Sequence, residues 1–299
     1  MLNGMLACRS AFRYPAENQE EEMVERTQKE RARDFTALHH APGGFLLPNA
    51  WDAMSARLFE AAGFLAVGTT SGGVNWSLGY QDGERAPWPE VASATARIAR
   101  VVRVPLSADI EAGYAGTSDE LRRNVEDIIR AGAVGINLED QIAGKLRSID
   151  QACARIRAAR DAADRAGVPI VINARTDAFH VEMPPEQRFD EAVRRAGAYL
   201  EAGASTIFVF GISDLPMIAR LAKAISAPVN VVGRPGGPSF ADLSGAGVAR
   251  VSLAAGMSLY AYGAVRDKAS QIKAIGSFDC LSGSFTRAEA QALFAGSSR

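Results

Sequence analysis

From about residue 45 to 275, short apolar runs alternate with longer stretches whose apolar positions recur every three or four residues. The short runs are Phe45–Pro48, Phe64–Gly68, Pro105–Asp109, Val134–Leu138, Pro169–Ala174, Thr206–Phe210, Pro228–Val232 and Val248–Leu253. Most are continuous in Val, Ile, Leu and Ala, the composition of strands covered on both faces. The stretches between them predict helices over Asp52–Ala62, Trp88–Val102, Ser118–Ala131, Ile149–Ala166, Glu186–Ala202, Ser213–Ile225, Ser239–Gly245 and Gly256–Ile275. An Ala-Gly-apolar phrase closes several of these helices and opens the next strand: Ala62-Gly63-Phe64, Ala131-Gly132-Ala133, Ala166-Gly167-Val168, Ala202-Gly203-Ala204 and Ala246-Gly247-Val248. Glycine suits the left-handed residue that ends a helix. Eight strand–helix units imply parallel strands with helical crossovers, and so a (β/α)8 TIM barrel. The competing fold is an open doubly wound sheet, but no strand is followed by the G-x-G-x-x-G of that architecture. No linker divides the region. The reading is therefore one barrel domain with C-terminal helices over residues 28–299, after a mobile N-terminal extension over residues 1–27.

Composition narrows the function classes. Of 299 residues, 47% are hydrophobic and 22% charged, and 33 Lys+Arg against 34 Asp+Glu leave a net charge of −1. This excludes intrinsic disorder, and near-neutrality argues against a nucleic-acid or membrane-surface partner. Three cysteines, Cys8, Cys153 and Cys280, show no metal-ligand spacing and point to a reducing, cytoplasmic setting. No apolar run approaches the roughly 20 residues of a membrane span.

Candidate chemistry falls at the C-terminal ends of the strands, where barrels of this kind carry their active sites. The first strand ends in Asn49-Ala-Trp-Asp52, the second in Gly68-Thr-Thr-Ser-Gly72, the third in Asp109-Ile-Glu111 and the fourth in Glu139-Asp140-Gln141. The fifth ends in Asn173-Ala-Arg175-Thr-Asp177, and the seventh carries Asn230. Carboxylates converging from adjacent strands repel unless a cation lies between them, and hard oxygen ligands suit Mg²⁺ or Mn²⁺. Asp109, Glu111 and Glu139 are thus a candidate metal site; alternatively they cap helices or pair with Arg175. Arg175 itself is either a clamp for a substrate anion or a rim salt bridge. Thr69 to Gly72 either present hydroxyls and N–H groups to an anion or form a tight turn. Asp52 is expected to cap the first helix, with Asn49 nearer the site. The Gly233–Ser239 turn, including Gly236-Gly237, is a weaker phosphate-site candidate. His39, His40 and His180 lack ligand or triad spacing, which disfavours zinc or Ser-His-Asp chemistry.

Five phrases, in order, resemble the isocitrate lyase/phosphoenolpyruvate mutase superfamily: Pro48-Asn-Ala-Trp-Asp-Ala-Met-Ser-Ala-Arg57, Glu60-Ala-Ala-Gly-Phe64, Ala108-Asp-Ile-Glu-Ala-Gly-Tyr114, Leu138-Glu-Asp-Gln141 and Asn173-Ala-Arg-Thr-Asp-Ala178. The resemblance implies a Mg²⁺-dependent barrel that cleaves or rearranges a C–C or P–C bond in small 2-oxo or 2-hydroxy acids. It also implies a homotetramer with the last helix swapped between subunits. By position, Asp109 resembles the principal metal carboxylate, with Glu111 and Glu139 completing the shell partly through water. Thr70 and Ser71 resemble the residues that hold the substrate carboxylate, Arg175 the arginine on its far oxygens, Asp82 an aspartate near the reacting centre, and Lys145 a lysine on a mobile loop. Asn49 and Asn230 complete the expected substrate contacts.

Two positions depart from that pattern. Glu111 stands where aspartate is common. Arg147 stands where the isocitrate and 2-methylisocitrate lyases carry the cysteine of a Lys-Arg-Cys-Gly-His phrase and the mutases an asparagine. Arginine stays protonated, so it clamps an anion in preference to donating a proton. The expected activity is Mg²⁺-dependent lyase-type cleavage of a C–C bond in a small carboxylate through an enolate. Alternatives are a P–C mutase or phosphonopyruvate hydrolase, an oxaloacetate-type hydrolase, a non-catalytic 2-oxo acid binder, and a sugar-phosphate barrel using the Gly236-Gly237 turn.

Overall fold

The computed structural model describes residues 26–295. Its strands are β1 (Phe45–Leu47), β2 (Asn49–Ala50), β3 (Val67–Thr69), β4 (Leu106–Asp109), β5 (Gly135–Glu139), β6 (Gln141–Ile142), β7 (Lys145–Leu146), β8 (Val171–Thr176), β9 (Thr206–Val209), β10 (Val229–Val232) and β11 (Arg250–Ser252). Its α-helices are α1 (Gln28–His40), α2 (Ala53–Ala61), α3 (Ser71–Leu78), α4 (Trp88–Val101), α5 (Ser118–Arg130), α6 (Ile149–Ala166), α7 (Pro185–Glu201), α8 (Leu215–Ala224), α9 (Phe240–Gly245), α10 (Gly256–Ile275) and α11 (Arg287–Ala292).

Nine of the strands form one parallel sheet in the order β1-β11-β10-β9-β8-β5-β4-β3-β2, while β6 and β7 make a separate antiparallel hairpin. β1 and β2 flank Pro48, which has no N–H to donate to a ladder. At this residue pairing switches from β11, with Phe45 opposite Arg250, to β3, with Asn49 opposite Gly68. The two segments are halves of one barrel strand, and the sheet closes around them as the expected (β/α)8 barrel. Asn49 closes the seam with its side chain: its Nδ2 donates to the Thr69 carbonyl at 2.8 Å and its Oδ1 accepts the Leu253 N–H at 2.8 Å. Both ends of the amide are therefore engaged with backbone at the seam.

Three elements differ from the sequence reading. Residues 1–25, most of the expected extension, lie outside the described residues. Thr27 is instead the N-cap of α1, in a capping box with Glu30. α1 escapes the periodicity because it buries only Ala32, Phe35 and His39. The Thr69–Gly72 stretch is not a plain turn but runs from the end of β3 through the N-cap Thr70 into α3, whose glycines and short length mute any apolar stripe. Finally, the segment after β5 forms the β6–β7 hairpin, turning at Ala143 and Gly144 with positive φ. Asp52 caps α2 as expected, accepting the Ser55 N–H at 2.7 Å.

Candidate active site

β4 delivers Asp109 to the barrel mouth, and its backbone N–H is fixed by the Thr69 hydroxyl at 2.8 Å. The carboxylate accepts two long backbone bonds, from Ser71 N–H at 3.3 Å and Glu111 N–H at 3.4 Å. Burial raises the Asp109 pKa, Arg175 opposes this, and Asp82 adds to it. The next acid turns away. Glu111 adopts φ +51°, and its Oε1 accepts from the Tyr114 hydroxyl at 2.5 Å and from Asn75 Nδ2 at 3.1 Å. Its Oε2 accepts the Glu84 N–H at 2.9 Å. Burial pushes Glu111 up to about 7, against the bonds from Tyr114 and Asn75.

Asn75, on the second turn of α3, also reaches Asp82 Oδ1 at 3.4 Å. A Cβ on Gly72 would lie 3.2 Å from Asp82 Oδ2, so Asp82 sits against the start of α3. Three acids from two segments, Asp82 after α3 and Asp109 with Glu111 at the end of β4, are thus drawn around α3. Thr70, the N-cap of α3, makes no side-chain capping bond, which leaves first-turn N–H groups available to an anion.

On the opposite wall Glu139 and Arg175 are register partners on β5 and β8. Arg175 Nη1 meets Glu139 Oε2 at 2.9 Å, while Nε and Nη2 hold Asp177 at 2.7 and 3.0 Å. The guanidinium also stacks 3.8 Å from the Phe210 ring. Three of its five N–H groups are therefore occupied, and the rim salt bridge considered for Arg175 is present. Burial works against the Arg175 charge, but Glu139 and Asp177 more than offset it and raise its pKa. Glu139 rises to about 8, chiefly through burial.

The other candidates disperse. Asn230 is buried inside the barrel, donating to Ser252 Oγ at 3.2 Å, and its Oδ1 has no hydrogen-bond partner. Lys145 lies on the exposed face of the hairpin and makes no ion pair among the described residues. Arg147 is half-buried: its N–H donates to the Asp140 carbonyl at 2.8 Å, and its own carbonyl accepts from Arg195 Nη2 at 2.9 Å. In the Gly233–Ser239 turn, Ser239 caps α9 in a box with Asp242, an ordinary helix start. His39 is buried against Phe35 and Phe45, far from ligand duty. Sequence reasoning missed Asn75 because α3 was not recognised, and Tyr114 because its contact with Glu111 depends on the left-handed turn at residue 111.

No group of three or more His, Cys, Asp or Glu side chains stands as a ready cage among the described residues. Within the expected trio, Glu111 is bonded to Tyr114 and Glu139 is paired with Arg175, while burial and, beside it, the Asp109 charge raise the pKa of both. The donor set still fits a hard cation. Asp109 keeps open lone pairs, and neighbouring acids raise one another's pKa values at the mouth. Mg²⁺ takes one or two carboxylates and completes its shell with water and substrate oxygens.

The model of the phosphoenolpyruvate phosphomutase family matches residues 35–273. The chain belongs to this family, within the isocitrate lyase/phosphoenolpyruvate mutase superfamily. It is 38% identical over 218 residues to an uncharacterized protein of Mycobacterium tuberculosis, covering 73% of this chain and 80% of that one. It is 35% identical over 188 residues to 2-methylisocitrate lyase of Escherichia coli, covering 60% and 61%. The crystal structure of 2,3-dimethylmalate lyase superposes with a TM-score of 0.79 at 25% identity, covering 89% of this chain and 95% of that one. The chain is thus an enzyme of a superfamily of lyases, mutases and hydrolases. Among the described residues, no helix is long and apolar enough to cross a membrane.

Proposed function

We propose that this superfamily enzyme is a Mg²⁺-dependent lyase that cleaves a C–C bond in a small 2-oxo or 2-hydroxy carboxylic acid through an enolate. The observation that carries the reading is the open Asp109 carboxylate directly beside the uncapped first turn of α3. Asp109 would hold the cation, with Glu111 and Glu139 reaching it through water. The bound cation stabilises negative charge as it develops on the substrate oxygen.

The remaining work falls to the chain itself. Thr70, Ser71 and the α3 N–H groups bind the substrate carboxylate. Asp82, positioned by Asn75, faces the reacting centre. Arg175 fixes the Glu139 carboxylate against β5. The β6–β7 hairpin folds over the mouth, excludes water from the enolate and brings Lys145 in to move the proton.

The exposed face of α10 carries Leu259, Tyr260 and Val265, more apolar surface than a lone helix leaves in water. It supports a homo-oligomer, a tetramer in this reading, in which that helix packs on a neighbouring subunit. The free thiols of Cys153 and Cys280 support a reducing, cytoplasmic setting.

A panel of 2-oxo and 2-hydroxy acids, incubated with enzyme and Mg²⁺ and followed by ¹H and ³¹P NMR, tests the proposal. New pyruvate or glyoxylate signals are expected, absent in Asp109→Ala. Phosphonate products would favour P–C chemistry, acetate with oxalate would favour oxaloacetate hydrolysis, and binding without turnover would favour a non-catalytic binder.

A further inference from the structure

The loop that carries Asp82 is not held by packing. Gln81, Asp82, Gly83, Glu84 and Arg85 are all exposed and none is apolar, so burial does not fix this run. Like charge works against it: after burial, the Asp82 carboxylate adds to the raised pKa values of Asp109 and Glu111. Asp82 itself receives a long bond, 3.4 Å, from Asn75. Glu84 is bound more firmly, and at both ends. Its N–H donates to Glu111 Oε2 at 2.9 Å, and its Oε1 accepts the Tyr114 N–H at 2.6 Å.

The three residues of this clasp share an uncommon backbone. Glu84, Glu111 and Tyr114 have φ of +58°, +51° and +50°, the left-handed region that residues with a Cβ avoid. Such conformations persist only where the surroundings over-determine them, and they concentrate at functional sites. On the barrel side the bracing is dense. The Glu111 carbonyl accepts the Glu139 N–H at 2.9 Å, and Arg155 Nη2 donates to the Ala112 carbonyl. Asn124 Nδ2 donates to the Gly113 and Tyr114 carbonyls at 2.9 Å each. The turn over residues 111–114 is thus a mount fixed by β5, α5 and α6. Among the described residues, Glu84 has only its bonds to that mount to hold its conformation.

We propose that Glu84 is a positioning residue, whose N–H and carboxylate clasp the exposed loop to the 111–114 turn and so set Asp82 against the start of α3. The assignment rests on the lyase reading above and deepens it: Asp82 acts at the reacting centre only while Glu84 holds. The clasp also occupies Glu111 Oε2. One exposed residue therefore ties the acid that reaches the cation through water to the acid at the reacting centre, and touches neither cation nor substrate itself.

Hydrogen exchange read by mass spectrometry on the full-length protein with Mg²⁺, beside kinetics on an acid that the wild type turns over, tests this. Glu84→Ala removes the acceptor of the Tyr114 N–H at an exposed position, where an ordinary substitution changes little. Exchange over residues 80–86 is expected to rise about tenfold or more, with exchange in β4 and β5 and the unfolding midpoint unchanged. kcat should fall about tenfold while KM stays within about twofold. Glu84→Gln keeps an oxygen for the Tyr114 N–H and should recover most of both losses. Glu84→Gly suits a positive φ but lacks the acceptor, so it should behave like Glu84→Ala. Unchanged exchange or unchanged kcat in Glu84→Ala, or wild-type behaviour of Glu84→Gly, overturns the clasp alone. Absence of turnover of every acid by the wild type overturns the lyase reading, and the positioning role with it.

Discussion

Asn75 donates to Glu111 Oε1 at 3.1 Å from a fully buried position on α3, joining that helix to a loop 36 residues on in sequence. The same nitrogen reaches Asp82. One amide therefore holds two acids of the mouth at fixed spacing.

Replacing Asn75 by Ala leaves the Glu111 carboxylate short of a donor and Asp82 without its tether. A stability loss of about 1–3 kcal/mol is expected from the unsatisfied buried group. Turnover should fall further than stability explains, because Asp82 loses its position. Urea unfolding and kcat on the same preparation separate the two effects; an unchanged kcat would sink the positioning role.

The barrel seam makes a second prediction. Asn49→Leu keeps the volume but strands the Thr69 carbonyl and the Leu253 N–H, both held by the native amide. A cost of about 2–4 kcal/mol follows from two unpaired buried backbone groups. A shift in the urea midpoint smaller than that of a surface substitution would show that the seam does not depend on this side chain.

His39 gives the pH dependence. Burial, aided by the Arg250 charge, lowers its pKa from 6.5 to about 3. The folded protein therefore holds His39 neutral while the unfolded chain takes up a proton below about pH 6.5. Stability falls as the pH drops from 6.5 towards 3 and is flat with respect to this group above 6.5. Between pH 7 and 5 the loss is about 2 kcal/mol. In His39→Phe that slope should be reduced, which equilibrium unfolding at the two pH values measures directly.

Divalent metal should stabilise the fold by mass action, by about 2.7 kcal/mol at a hundredfold excess over Kd. Mg²⁺ is expected to raise Tm, EDTA to reverse the rise, and Asp109→Asn to abolish it. A full Mg²⁺ shift in Asp109→Asn would move the metal away from this carboxylate.

The α10 face predicts an assembly. Val265 and Tyr260 are 67% and 75% exposed. Val265→Asp should convert the oligomer to a smaller species by light scattering, with the circular dichroism of the barrel retained. An unchanged mass would show that this face is not the contact.

The register of strand and helix was legible where the chain repeats. α6 and α10 have the boundaries that periodicity and their terminal glycines predict, because long amphipathic stretches ending in Gly167 and Gly276 leave little choice. Asp109, Glu139 and Arg175 were legible because each ends a continuous apolar strand. What the sequence hid was pairing across loops. That Glu111 faces Tyr114 depends on a positive φ at residue 111, and that Arg175 faces Asp177 depends on how β8 ends. Arg155 reads as one more polar position on an amphipathic helix, and only packing against the Ala112 carbonyl singles it out.

The interruption at Pro48 bears on how the molecule comes into being. Phe45 lies opposite Arg250, so the ring joins the first strand of the barrel to the last. Without β11, the strands from β2 to β10 can make only an open sheet, so the ring cannot shut until the 250s have left the ribosome. Contacts of such sequence separation form late. The β1–β11 ladder makes that closure on one side of the proline, and on the other the Asn49 amide adds a latch to Leu253 that engages only when both ends of the barrel have arrived.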